Sequence, residues 1–164
     1  HKTEVNGVHL DVSDVERLRR ALEAIDSIPG DRQERGYLLE EMAPPGVDLI
    51  IGAKRDVSFG PTILVGLGGT AAEALNDVSI RLAPISRLDA QEMLDELRGR
   101  ELLDGWRGAP PVDRDAVVDA LLAVSALIST QPELTELDIN PLRANPEGTL
   151  ALDALMIWAS PSRG

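Results

Sequence analysis

Apolar and polar positions change period several times along the chain, and each change marks an element. Residues 7–12, GVHLDV, alternate and predict a short strand. Ser13 is then placed to cap a helix reaching about Ile28, with Val15, Leu18, Leu22 and Ile25 at helical spacing. After the loop PGDRQERG, alternation returns in YLLEEM (37–42) and VDLIIGAKRD (47–56) on either side of APPG, which predicts a hairpin. Residues 62–66 predict a strand running into GLGG, and Val78 to Leu82 predict another. Helices are expected at about 87–98 and 113–130, joined by the proline-rich RGAPPVD. The second carries Val117, Leu121, Val124 and Leu127/Ile128 as its buried stripe. Strands at about 134–144 and 149–157 follow, and there is no internal repeat. Helices and strands in this order predict a mixed class, α+β or α/β.

The last two strands carry the most chemistry. ANPEG between them is turn sequence; with Asn145 to Gly148 as the loop, Ala144 pairs with Thr149 and Asn140 lies opposite Asp153. Strict alternation then puts Asp138, Asn140 and Asp153 on one face, and Leu137, Ile139, Leu150 and Leu152 on the other, buried one. Opposed residues have Cβ atoms roughly 5 Å apart. Two carboxylates and a carboxamide so close either form a solvated polar face or share a cation, and Mg²⁺ suits such hard oxygen ligands. The pattern leaves both readings open.

Composition narrows the partners. The 164 residues suffice for one domain with a core, and 43% hydrophobic with 27% charged residues is an ordinary globular balance. With aromatics at only 2%, that core must rest on Leu, Val, Ile and Ala. A net charge of −12 argues against nucleic acid or an anionic membrane as partner, since phosphate backbones select positive faces. The absence of cysteine excludes disulfides and thiol chemistry and fits a cytoplasmic setting. No run approaches the roughly 20 apolar residues that span a bilayer. An acidic chain can still hold a polyphosphate through a divalent cation.

Two further stretches are candidates with plain structural alternatives. GLGGT (66–70) follows a strand and could cradle phosphate with backbone N–H groups, or simply make a tight turn. Glu41 and Asp48 flank APPG and could equally be surface carboxylates.

Taken together, HKTEVNGV (1–8), LLEEMAPPGVDLIIGAKRDVSFGP (38–61), LVGLGGTAAEALNDVSIRLAPI (64–85) and ELDINPL…EGTLALDA (136–154) resemble the ATP-grasp domain of the NDP-forming acyl-CoA synthetases. These are the ADP-forming acetate–CoA ligases and relatives of the succinyl-CoA synthetase β subunit. The resemblance implies the C-terminal subdomain of an ATP-grasp fold, a largely antiparallel sheet with packed helices. Residues 1–158 would be the ATP-grasp domain with its first subdomain incomplete, and 159–164 a tail. The chain is thus expected to be a fragment, inactive alone, completed by an N-terminal subdomain carrying a nucleotide lysine and by CoA-binding domains.

The resemblance also implies roles. Asn140 and Asp153 match the family's Mg²⁺ ligands, with Asp138 beside them. Glu41 and Asp48 match the hinge and ribose contacts, although Asp48 stands where Glu is usual. Lys2, Gly68 and Gly69 fall on nucleotide-contacting stretches, and His1 on a position near the phosphates, where it could pass a phosphoryl group. Asn6 replaces a glycine of the H-K-[ST]-[DE]-x-G-G start. The implied reaction interconverts acyl-CoA, ADP and phosphate with a small carboxylic acid, ATP and CoA, through an acyl phosphate and a phosphohistidine carried outside this chain. Two other readings stay open: a different ATP-grasp carboxylate ligase, or a non-catalytic nucleotide-sensing or scaffold module attached to an enzyme such as an acetyltransferase.

Overall fold

The structure is a computed structural model and describes residues 7–29, 36–69 and 76–159. The chain falls into two compact units, residues 1–43 and 44–164.

In the first unit, α1 spans Val15–Ser27. Its N-cap is Asp14 rather than the expected Ser13: the Asp14 carboxylate accepts from the Arg17 amide at 2.8 Å. Only Ala21 of this helix is buried. Residues 7–12 and 37–42, expected as strands, have no strand assignment.

The second unit is one antiparallel sheet with helices on a single face. Its strands are β1 (Val47–Asp56), β2 (Gly60–Leu67), β3 (Val78–Leu82), β4 (Leu134–Asn145), β5 (Gly148–Ala151) and β6 (Ala154–Trp158). The order is β3-β2-β1-β4-β5, with β6 also on β4. β1 therefore has both edges filled, by β2 and β4, and this is why the expected pairing with 37–42 does not occur. Between β3 and β4 run α2 (Arg87–Asp95) and α3 (Arg114–Thr130). Ser86 and Asp89 close a reciprocal capping box at α2, and the Asp113 carboxylate caps α3.

Leu49, Ile51 and Ala53 of β1, Ile63 and Val65 of β2, and Leu137, Leu142 and Ala144 of β4 meet Met93, Leu94, Val117, Leu121, Val124 and Ile128 in one aliphatic core. In β1 and β2 these are alternate positions, so the intervening residues, Asp48, Ile50, Gly52 and Lys54 among them, face away from the helices. No helix of the described residues is long and apolar enough to cross a membrane.

The closing hairpin keeps the expected register, Ala144 against Thr149 and Asp138 against Leu155. Its facing differs from strict alternation. Leu49 pairs with Leu142 and Ile51 with Ile139, so one β1 residue opposes two on β4, Asn140 and Pro141, which form a bulge. Beyond the bulge the core side passes to Leu142 and Ala144, and Arg143 with its partner Leu150 turns to the open face. Leu150 and Leu152 are thus 50% and 39% exposed, where burial was expected.

Candidate functional site

The helix-free face of the sheet divides into an apolar side and a polar side. Ile50, Leu64 and Ile80, on three adjacent strands, floor a pocket of about 460 Å³. Lys54, Glu136 and Asp138 line its polar side, and Gly52, directly opposite Asp138, leaves the space above the strands open. Lys54 and Glu136 make an exposed ion pair at 3.7 Å, a contact worth little in free energy.

Asp138 is a shifted carboxyl on this face. Burial pushes its carboxyl above the usual carboxylate range, and the charges of Glu136 and Asp153 push it the same way. A carboxylate raised by both causes is one that a cation would relieve. The Asn140 amide donates to the Asp153 carbonyl at 3.2 Å, so these residues are cross-strand neighbours as expected, and both are exposed. Pro141, lacking an N–H, interrupts the ladder there; Leu152 donates to its carbonyl at 2.9 Å. No three His, Cys, Asp or Glu among the described residues gather as a metal site. The donor set at hand is instead two carboxylates and a carboxamide, oxygen ligands suited to Mg²⁺.

Asp48 has a partner that sequence reasoning missed. Arg143 lies opposite it across β1 and β4 and holds it bidentately, Nε to Oδ1 at 2.8 Å and Nη2 to Oδ2 at 3.0 Å. This hydrogen bonding, with the nearby carboxylate charge, raises the Arg143 guanidinium above its ordinary value. The only possible signal was opposite charge on two strands, and it is readable only once β1 and β4 are known to pair.

The glycine stretch has packing reasons of its own. The Gly68 amide donates to the Asp48 carbonyl at 2.7 Å, and a Cβ there would stand 3.1 Å from that carbonyl. Gly69 takes a φ of +90°. Glu41 lies in coil of the first unit, whereas Asp48 belongs to β1 of the second. His1 and Lys2 lie outside the described residues.

Comparison with known proteins follows the same direction. The family profile described as an ATP-grasp domain matches residues 1–157. The chain is 39% identical over 160 residues to acetate–CoA ligase [ADP-forming] I of Archaeoglobus fulgidus, covering 96% of this chain and 23% of that protein. It is 38% identical over 161 residues to the β subunit of acetate–CoA ligase [ADP-forming] I of Pyrococcus furiosus, covering 96% of this chain and 69% of the subunit. Among solved structures, the dinucleotide-forming acetyl-coenzyme A synthetase 1 of Ca. Korarchaeum cryptofilum, in complex with coenzyme A and Mg-AMPPCP, superposes with a TM-score of 0.83 at 42% identity, covering 96% of this chain and 70% of that one. The chain thus spans about a quarter of the Archaeoglobus fulgidus ligase and about 70% of the Pyrococcus furiosus β subunit.

Proposed function

The chain belongs to the ATP-grasp family, and from that premise we propose that it forms the nucleotide- and Mg²⁺-holding part of an ADP-forming acyl-CoA synthetase. The whole enzyme would interconvert acyl-CoA, ADP and phosphate with a carboxylic acid, ATP and CoA. The observation that carries this reading is the open sheet face, where a pocket floored by Ile50, Leu64 and Ile80 borders the raised carboxyl of Asp138 and the adjoining Asn140 and Asp153. An apolar floor suits the flat face of a base, and hard oxygen donors beside it suit a phosphate-bound divalent cation.

Asp153, Asn140 and Asp138 would hold the metal. When bound, Mg²⁺ would offset the charge on the phosphate oxygens and keep the transfer in line. The chain's own residues then bind and orient: Asp138 would offer its carboxylate at the polar side of the pocket, with the exposed Asp153 and Asn140 next to it, and the apolar floor would take the base. No group here is required as nucleophile. A CoA-binding module, on the same polypeptide or a separate subunit, would supply the acyl group and the phosphohistidine. By resemblance to the family, Lys2, Glu41, Gly68, Gly69 and His1 are proposed as nucleotide contacts, and Asp48, whose carboxylate is held by Arg143, is proposed to serve the same site through that bond.

The test is coupled. Full-length protein, with its CoA-binding module, is assayed for ATP formation from acetyl-CoA and longer acyl-CoAs with ADP and phosphate, and separately for Mg·ADP binding by calorimetry. Acyl-CoA-dependent ATP formation that disappears on Asp153→Asn supports the reading. Binding without turnover on any acyl-CoA would support the nucleotide-sensing alternative, and no binding at all would overturn the site.

A further inference from the structure

Arg143 sits at the centre of a set of contacts that no nucleotide or metal role requires of it. Its side chain runs from β4 across Gly46, where a Cβ would lie 2.9 Å from Arg143 Cγ and 2.3 Å from the Ala144 carbonyl oxygen. No residue but glycine leaves room for that crossing. The guanidinium then takes both oxygens of Asp48, at 2.8 and 3.0 Å, with both side chains less than one-third exposed. The Asp48 backbone carbonyl in turn accepts the Gly68 amide at 2.7 Å. Two of the three strands that meet here are far apart in sequence, and the guanidinium fork joins them with two parallel hydrogen bonds, a geometry an ammonium cannot reproduce.

We propose that Arg143 and Asp48 are positioning residues: the bidentate pair fixes the β1 backbone at Asp48, and that backbone fixes the turn Gly68–Gly69. The inference rests on the proposed function in one respect, that this turn borders the nucleotide; the mechanical part stands on the contacts alone. Both Asp48 oxygens accept from Arg143, so Asp48 acts on the turn through its carbonyl and through its partner, not as an isolated carboxylate offered to a ribose. A neutral side chain at either position would leave the β1–β4 ladder in place, because it is made of backbone bonds, but would loosen β1 locally at Asp48, near the end of the strand, and with it the Gly68 bond.

Hydrogen exchange read by mass spectrometry on the full protein tests this, together with steady-state kinetics. Asp48→Asn and Arg143→Met should each speed exchange in peptides covering Gly66 to Gly69 by about tenfold. The double variant should be no faster than the faster single one, as expected for two halves of one contact. Exchange in α3 peptides should stay unchanged in the Asp48 and Arg143 variants, and Arg87→Met, which removes two exposed ion pairs elsewhere, should leave Gly68 unaffected. In kinetics the pair's loss should raise the nucleotide KM about tenfold while kcat stays within about twofold, the split expected of an orienting role. Unchanged exchange at Gly68 overturns the proposal. So does exchange in α3 that rises in step with it, which would make the pair a global stabiliser only. If unaltered protein fails to bind Mg·ADP, the nucleotide reading falls, and exchange alone decides the positioning role.

Discussion

Replacing Arg55 should show how firmly the sheet is tied to its main helix. Arg55 follows Leu49, Ile51 and Ala53 on the core side of β1 and reaches the C-terminal end of α3. Its Nη2 donates to the Ile128 carbonyl at 2.5 Å and the Gln131 carbonyl at 3.2 Å, and its Nε to the Leu134 carbonyl at 3.4 Å. The last turn of α3 holds no basic residue of its own, so this guanidinium from a distant strand serves the negative end of the helix. One short charge-assisted bond contributes about 1.5–3 kcal/mol. The two longer bonds add little, and the helix dipole adds about 0.3–1 kcal/mol. Arg55→Met keeps the aliphatic stem and removes every donor, so the expected loss is about 3 kcal/mol. With a urea slope of about 2 kcal/mol/M, the unfolding midpoint should fall by about 1.5 M. Arg55→Lys keeps the charge but not the fork and should recover about half of that loss. Equilibrium urea unfolding followed by far-UV circular dichroism measures both. A midpoint for Arg55→Met within about 0.3 M of the unaltered protein, or full recovery by lysine, would sink the argument.

Three other outcomes are expected. Asp138→Asn should raise the melting temperature of the nucleotide-free protein at pH 7, because the raised carboxyl makes its charged form unfavourable in the folded state; the advantage should grow as pH climbs above the ordinary value of 3.8 and vanish by about pH 3, and an advantage independent of pH would contradict it. Asp153→Asn and Asn140→Ala should each weaken Mg·ADP binding at least about tenfold by calorimetry, while the double variant falls far short of the product, since two ligands of one ion act together. Leu121→Ala, at a position with 0% exposure beneath the sheet, should cost about 2–5 kcal/mol in the same urea assay without changing Mg·ADP affinity in the fraction that remains folded.

What could be read from the sequence alone was local. α3, α2 and β3 lie close to where the pattern of apolar residues put them, because helical spacing and strand alternation involve residues only two to four apart. The register of the closing hairpin was equally legible: a four-residue turn leaves one way for Ala144 to meet Thr149, and this brought Asn140 beside Asp153. The tertiary structure decided whatever depended on distant partners. YLLEEM has the alternation of a strand, yet β1 is flanked by β2 and by β4 from the far end of the chain, and periodicity cannot say which of several apolar strands will pair. The bulge at Asn140 and Pro141 is defined by the pairing of β4 with β1, and it turns Arg143 and Leu150 to the open face against the count of alternating residues. The bond between Asp48 and Arg143, 95 residues apart, follows from that same pairing. Local chemistry suggested the candidate metal donors, but which charges face one another across the sheet was settled by non-local pairing, where burial of one apolar face selects a single register.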